Sequence, residues 1–150
     1  MTFKELKEMT PLRNSLSAFP ILGLIEYFTR TGDANRRYAS VLLMYLLKNE
    51  NLINPRILAR ALTLVAMQTS KEKSYITSEG LFRKALSIVG DYVVYENADA
   101  HYQYAKMLEN IEKRDRDVEV EIERANEVIQ LLPYWAPKLM YIVVPDIELI

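Results

Sequence analysis

His101 is the only histidine in the chain and cysteine is absent. Nucleophilic catalysis by a hydroxyl, a base and an orienting acid therefore has one imidazole to draw on, and thiolate chemistry has no donor. His101 sits beside Tyr102 in a helical pattern, the setting of a partly exposed structural histidine rather than a catalytic base. Zinc is disfavoured by the same shortage of ligands. The run Asp115, Asp117, Glu119, Glu121, Glu123 has the composition of a hard-cation site. Alternate residues on a helix point about 200° apart, however, so these carboxylates read as a solvated face. No glycine-rich phosphate loop occurs. The expectation is no enzyme, no catalytic residue, no metal, no cofactor and no small-molecule substrate.

The basic residues carry more. Arg30 closes an apolar run, Arg36 and Arg37 open the following helix, and Lys48 ends it. Arg56 and Arg60 stand one helical turn apart, on one face with Thr63. Lys71 and Lys73 fall in a polar stretch, and Arg83 and Lys84 on the outer side of the next helix. Cations spaced along one surface suit a nucleic-acid backbone, where each contact adds a similar electrostatic increment without reading sequence. The plainer alternative is a set of ordinary solvated helix faces. Charge is divided along the chain: residues 1–95 hold thirteen Lys/Arg against eight Asp/Glu, and residues 96–150 six against twelve. That division reads as a docking polarity, a basic face toward nucleic acid and an acidic remainder toward neighbouring protein.

These residues need helices to place them. Thr2 with Glu5 forms a capping-box pattern, and Thr10-Pro11 is a second start signal with Leu12, Leu16 and Phe19 on one face. Pro20 is expected to break or kink that helix; an apolar stretch then runs to Phe28, stopped by Thr31-Gly32. Asp33 is expected to cap a helix with stripe Tyr38, Val41, Leu42, Tyr45, and Asn54-Pro55 to start one carrying Ile57, Leu58, Ala61, Leu62 and Val65. Ser70 to Ser74 reads as a loop. Thr77 or Ser78 is expected to cap the helix of Leu81, Phe82, Ala85, Leu86, Val89 and Val93, and Asn97 that of Tyr104, Ala105, Leu108 and Ile111. Lys113 to Asp117 reads as a charged connection, followed by Val118, Ile122, Ala125, Ile129 and Leu132 at helical spacing and the stop Pro133.

The last segment changes character. Tyr134-Trp135-Ala136-Pro137 is an aromatic turn, and Tyr141 to Ile150 is β-prone. A terminal strand needs a partner, so residues 137–150 are expected to pack along the bundle or on another subunit, with Tyr134, Trp135, Tyr141 and Val143 as partner contacts. Of the ten tyrosines, Tyr38, Tyr45, Tyr92 and Tyr104 fall on apolar stripes and are assigned to the core, whereas Tyr27, Tyr75, Tyr95 and Trp135 are harder to bury. The fold expected is an all-α, single-domain bundle of six or seven helices over residues 1–150 with an extended C-terminal segment. Half of the residues are hydrophobic, enough for one core. No secretory or membrane-spanning stretch is visible, since Glu26 and Arg30 interrupt the best apolar run. A soluble, cytoplasmic protein is expected.

Two resemblances follow. Glu121-Ile-Glu-Arg-Ala-Asn-Glu-Val-Ile-Gln-Leu-Leu-Pro133 resembles the second helix of a tetratricopeptide-like pair, as does Leu81-Phe-Arg-Lys-Ala-Leu86. That implies a helical-repeat adaptor for protein–protein interaction. Separately, Ala18-Phe-Pro-Ile-Leu-Gly-Leu-Ile-Glu-Tyr-Phe28, Tyr38 to Leu47, and Tyr75-Ile-Thr-Ser-Glu-Gly-Leu81 are similar, in order, to segments of the small helical subunits of CRISPR effector complexes, especially type III. This second resemblance covers about half the chain. It implies a non-catalytic subunit of an RNA-guided antiviral complex. Its partners would be other protein subunits, copies of itself, and an RNA or DNA backbone held by Arg and Lys.

Overall fold

Asn, Pro and Gly punctuation divides runs of apolar residues at helical spacing, and each run folds as a helix. The computed structural model describes residues 18–31 and 35–133. In order these form α1 (Ala18–Arg30), α2 (Arg36–Lys48), a short 3-10 turn (Glu50–Leu52), α3 (Pro55–Lys71), α4 (Tyr75–Val89), α5 (Tyr95–Leu108) and α6 (Asp115–Leu131). The described residues are all-α, with no strand among them. The start signals at Thr2 and Thr10, the Gly32 stop, the Asp33 cap and the extended C-terminal segment lie outside the described residues.

α3 organises the rest. Pro55 stands at its first position, and the Asn54 side chain accepts a hydrogen bond from the Arg56 backbone N–H at 2.9 Å. From Ile57 to Ala66 every residue of α3 is buried, the signature of a helix enclosed on all sides. α1, α2, α4 and α5 pack around it, whereas α6 packs on α5. Leu22, Ile25, Leu42, Leu46, Ile57 and Leu62 fill the main core. A second cluster joins Ala66, Phe82, Tyr104, Met107 and Leu108. In it the Phe82 and Tyr104 rings stack with centroids 5.5 Å apart.

Several expected boundaries are corrected. α1 carries Pro20 in its first described turn, where a backbone N–H has no intrahelical acceptor to lose, and the helix expected to lead into Pro20 lies outside the described residues. α3 continues through Lys71, so the α3–α4 loop is shorter than Ser70 to Ser74. Thr77 and Ser78 do not cap α4, which starts at Tyr75; Ser78 is fully buried, and its hydroxyl donates to the Ala66 carbonyl at 2.7 Å. Asn97 is not a cap either. It lies inside α5, and its amide donates to the Gly90 and Tyr92 carbonyls at 3.0 and 3.1 Å, closing the α4–α5 turn. That turn needs Gly90, whose φ is +52°. α6 begins at Asp115, within the expected connection. Tyr92, assigned to the core by pattern, is 64% exposed because it lies in the turn; Val93 and Ile129 are also exposed.

Candidate docking surface

The expected basic face divides at α3. Arg56 and Arg60 share a face with Thr63, but that face turns inward against α5. The Arg56 guanidinium donates through Nε and Nη2 to both carboxylate oxygens of Glu96, each at 2.9 Å. Arg60 is only 8% exposed; its Nη1 donates to Asp99 Oδ2 at 2.8 Å, and its Nη2 stands 3.6 Å from Glu26 Oε1 on α1. Glu26 also accepts from Arg30 at 2.8 Å. Arg56 and Arg60 therefore link α3 to α5, and Arg60 to α1; Arg60 is closed to a polyanion, whereas the Arg56 side chain stays partly exposed beside Glu96. The expectation that Arg60 forms part of an exposed face is corrected. Buried guanidiniums require such partners, since an unpaired one would carry the full desolvation penalty.

Arg30, Arg83 and Lys84 also stay outside, but the remaining exposed cations of the expected set gather on α2 and at the end of α3. α2 carries Arg36, Arg37 and Lys48 and no carboxylate. Its exposed positions Arg36, Ser40, Met44 and Lys48 recur every fourth residue and form one stripe, with Met44 61% exposed in its middle. Beneath the stripe lies a cleft of about 660 Å³ between α2 and α3, lined by Arg36, Arg37, Val41, Met44, Gln68 and Glu72 among others. Arg36 pairs with Glu72 at 3.4 Å across it. That contact puts the flanking exposed residues Lys71 and Lys73 at the same end of the bundle. Lys73 holds a positive φ of 65° in the tight α3–α4 turn. Lys84 lies apart from this end, within 3.6 Å of Glu50.

Arg83 belongs to a different cluster. Glu79 accepts from the Tyr104 hydroxyl at 2.5 Å and from Arg114 Nη2 at 2.7 Å, while Arg83 Nε donates to the Tyr104 oxygen at 3.3 Å. Arg114 is also bonded to Asp117. The Arg114 hydrogen bond holds the Glu79 carboxyl below its usual range, against a smaller opposing effect of burial. Burial first, and the Glu79 hydrogen bond second, push the Tyr104 phenol up. Hydrogen bonds to Glu79 and Asp117 hold Arg114 firmly charged. This cluster ties α4, α5 and the start of α6 together. No local sequence signal exposes it, because Glu79 and Arg114 are thirty-five positions apart.

His101 is more enclosed than its pattern indicated, at 8% exposure, and its Nδ1 lies 2.5 Å from Glu121 Oε2 on α6. The expectation of a partly exposed histidine is corrected; a structural role for it fits this pairing. Among the described residues no group of three or more metal-binding side chains comes together. No helix among them is long and apolar enough to cross a membrane. Tyr134, Trp135, Tyr141 and Val143 lie outside the described residues.

The geometry thus supplies a basic stripe with an apolar centre over a cleft, and ionic clusters that join helices. Compared with protein families, curated proteins and solved structures, the chain matches none.

Proposed function

We propose that this protein is a non-enzymatic helical adaptor of a multisubunit assembly, which docks an acidic, partly apolar segment of a protein partner on α2 and the α2–α3 cleft. The observation that carries this reading is the α2 stripe, where Arg36, Arg37 and Lys48 bracket exposed Met44 with no carboxylate on the helix. Cations beside an apolar side chain suit a partner that brings both acidic and apolar groups, because burial of Met44 supplies area and the arginines supply orientation. The helical-repeat resemblance of α4 and α6 agrees with an adaptor. However, α3 is buried all round, so the contact is assigned to the outer face of α2 rather than to a concave repeat surface.

Co-purification of tagged chain from its native host, with and without nuclease, tests the reading. A protein partner retained after nuclease and lost with Arg36→Glu plus Arg37→Glu supports it; a partner indifferent to those changes refutes it.

A second reading is favoured by the gathering of Arg36, Arg37, Lys71 and Lys73 at one end of the bundle. In it the chain is the small helical subunit of an RNA-guided CRISPR-type complex, contacting nucleic-acid backbone there rather than along the full basic set. Its mark is RNA binding that weakens steeply with salt, with a shallower salt slope when Arg36 and Arg37 are neutralised.

A further inference from the structure

The α2–α3 cleft, of about 660 Å³, contains a polar group that the fold leaves unused. Gln68 lines the cleft from α3 and is only 8% exposed. Its carboxamide makes no hydrogen bond to any described residue. The neighbouring Thr69 hydroxyl is satisfied within α3, against the Val65 and Ala66 carbonyls at 3.1 and 2.9 Å. Among the described residues, the unpaired side-chain atoms that are fully sealed belong to Arg60, Thr63 and Asn97. The Gln68 amide is therefore unpaired but still open to the cleft. Water serves it while the cleft is open to solvent. Once a partner covers the cleft that water leaves, and the amide must find a donor and an acceptor on the partner or be buried without either.

We propose that the partner segment docked in this cleft is extended, that the Gln68 carboxamide pairs with the main chain of one of its residues, and that a nearby carboxylate of the segment takes Arg36 from Glu72. This inference rests on the α2 docking reading and specifies the shape and chemistry of the partner. A carboxamide offers an acceptor oxygen and a donor nitrogen side by side. In an extended chain the N–H and C=O of one residue lie on the same side, so they match it, N–H to Oε1 and Nε2 to C=O. The interior of a helix has already used both groups, whereas an extended segment keeps them available. Arg36 stands 3.4 Å from Glu72, and both side chains are partly exposed. The contact is therefore weak and screened by solvent, and an incoming carboxylate exchanges with it readily. Val41 and Met44 supply apolar wall for a neighbouring side chain of the segment. A nucleic-acid strand suits the cleft less well, because Glu72 places a carboxylate where phosphates would run.

Random ten-residue peptides displayed on phage and selected on the full chain test this, with the selected peptides remade carrying a fluorescent label and titrated by anisotropy. They are expected to contain a carboxylate and an apolar residue and to lose binding to Arg36→Glu plus Arg37→Glu. Gln68→Met keeps the length and shape of the side chain. It is expected to weaken binding about tenfold, while the melting temperature holds or rises because an unpaired amide has gone. N-methylation of one main-chain nitrogen of the peptide is expected to cost affinity on the parent chain and nothing further on Gln68→Met. Glu72→Gln is expected to tighten binding by about two- to fivefold. Peptides that need Arg36 and Arg37 but ignore Gln68→Met overturn the inference and leave the docking reading standing. A lowered melting temperature marks a structural glutamine and overturns it too. So does an N-methyl penalty that is equal on both chains at every position, or Gln68-dependent binding of a labelled single-stranded RNA and of no peptide. Enrichment of no peptide also overturns it, and the co-purification then decides the docking reading alone.

Discussion

Arg60 of α3 donates a 2.8 Å hydrogen bond to Asp99 of α5, and neither residue is more than a tenth exposed. Glu26 of α1 approaches the same guanidinium at 3.6 Å, so one arginine links three helices. Removing one partner strands a buried charge, which typically costs about 3–5 kcal/mol. Asp99→Ala is therefore expected to lower the unfolding free energy by about that amount in urea titrations. Arg60→Met combined with Asp99→Leu is expected to recover most of it, because apolar replacements of similar volume leave no charge unpaired. A small effect of Asp99→Ala would mean that water reaches the pair.

Thr63 lies one turn from Arg60, is almost completely buried, and its hydroxyl finds no hydrogen-bond partner among the described residues. A buried, unsatisfied hydroxyl is unfavourable, and valine has the same shape without it. Thr63→Val is expected to stabilise the fold by about 1 kcal/mol, read as a rise in melting temperature. A destabilised variant would show that the hydroxyl is satisfied after all.

Glu79 contributes a pH-dependent share of stability. The Arg114 hydrogen bond holds its carboxyl below the usual 4.5, so the folded state favours the ionised form more than the unfolded chain does. That contribution is complete above the ordinary glutamate range and is lost as pH falls through the lowered folded value. Glu79→Gln is expected to be less stable than the parent at neutral pH, and the gap to narrow as the solution is acidified below the ordinary glutamate range. Parallel melting curves across that range measure it; a gap that widens in acid would contradict the assigned direction.

Phe82 is fully buried and stacks on Tyr104, whose hydroxyl is the hub of the Glu79 cluster. Phe82→Ala is expected to cost about 3–5 kcal/mol through the cavity it leaves. Protection of α6 amides from hydrogen exchange is expected to fall as well, since Tyr104 helps position Glu79 for Arg114. Unchanged protection in α6 would show that the cluster holds without the ring beneath it.

The helices were legible because apolar residues recur at helical spacing and Asn54-Pro55 and Pro133 mark ends without tertiary help. The caps were less so. Ser78 and Asn97 are cap-type residues that use their polar groups on other elements, the Ala66 carbonyl for one and the Gly90 and Tyr92 carbonyls for the other. Arg56 and Arg60 were grouped correctly on one face, but periodicity says nothing of whether carboxylates from a distant helix will meet that face. Glu96 and Asp99 lie about forty residues away and turn it inward. The stripe of Arg36, Met44 and Lys48 was hidden for the opposite reason. Met44 looks like one more apolar residue of a core helix, and only the packing of α2 on α1 and α3 leaves it outside.

The central claim is that α2 is a protein-docking face, and Met44 is the place to test it. A photo-crosslinking residue at Met44, activated in the native host, is expected to yield a discrete protein adduct that survives nuclease and disappears with Arg36→Glu and Arg37→Glu. The same probe at Tyr102, exposed on α5, is expected to give none. No adduct at Met44, the same adduct at both positions, or an adduct with nucleic acid instead of protein would contradict the claim.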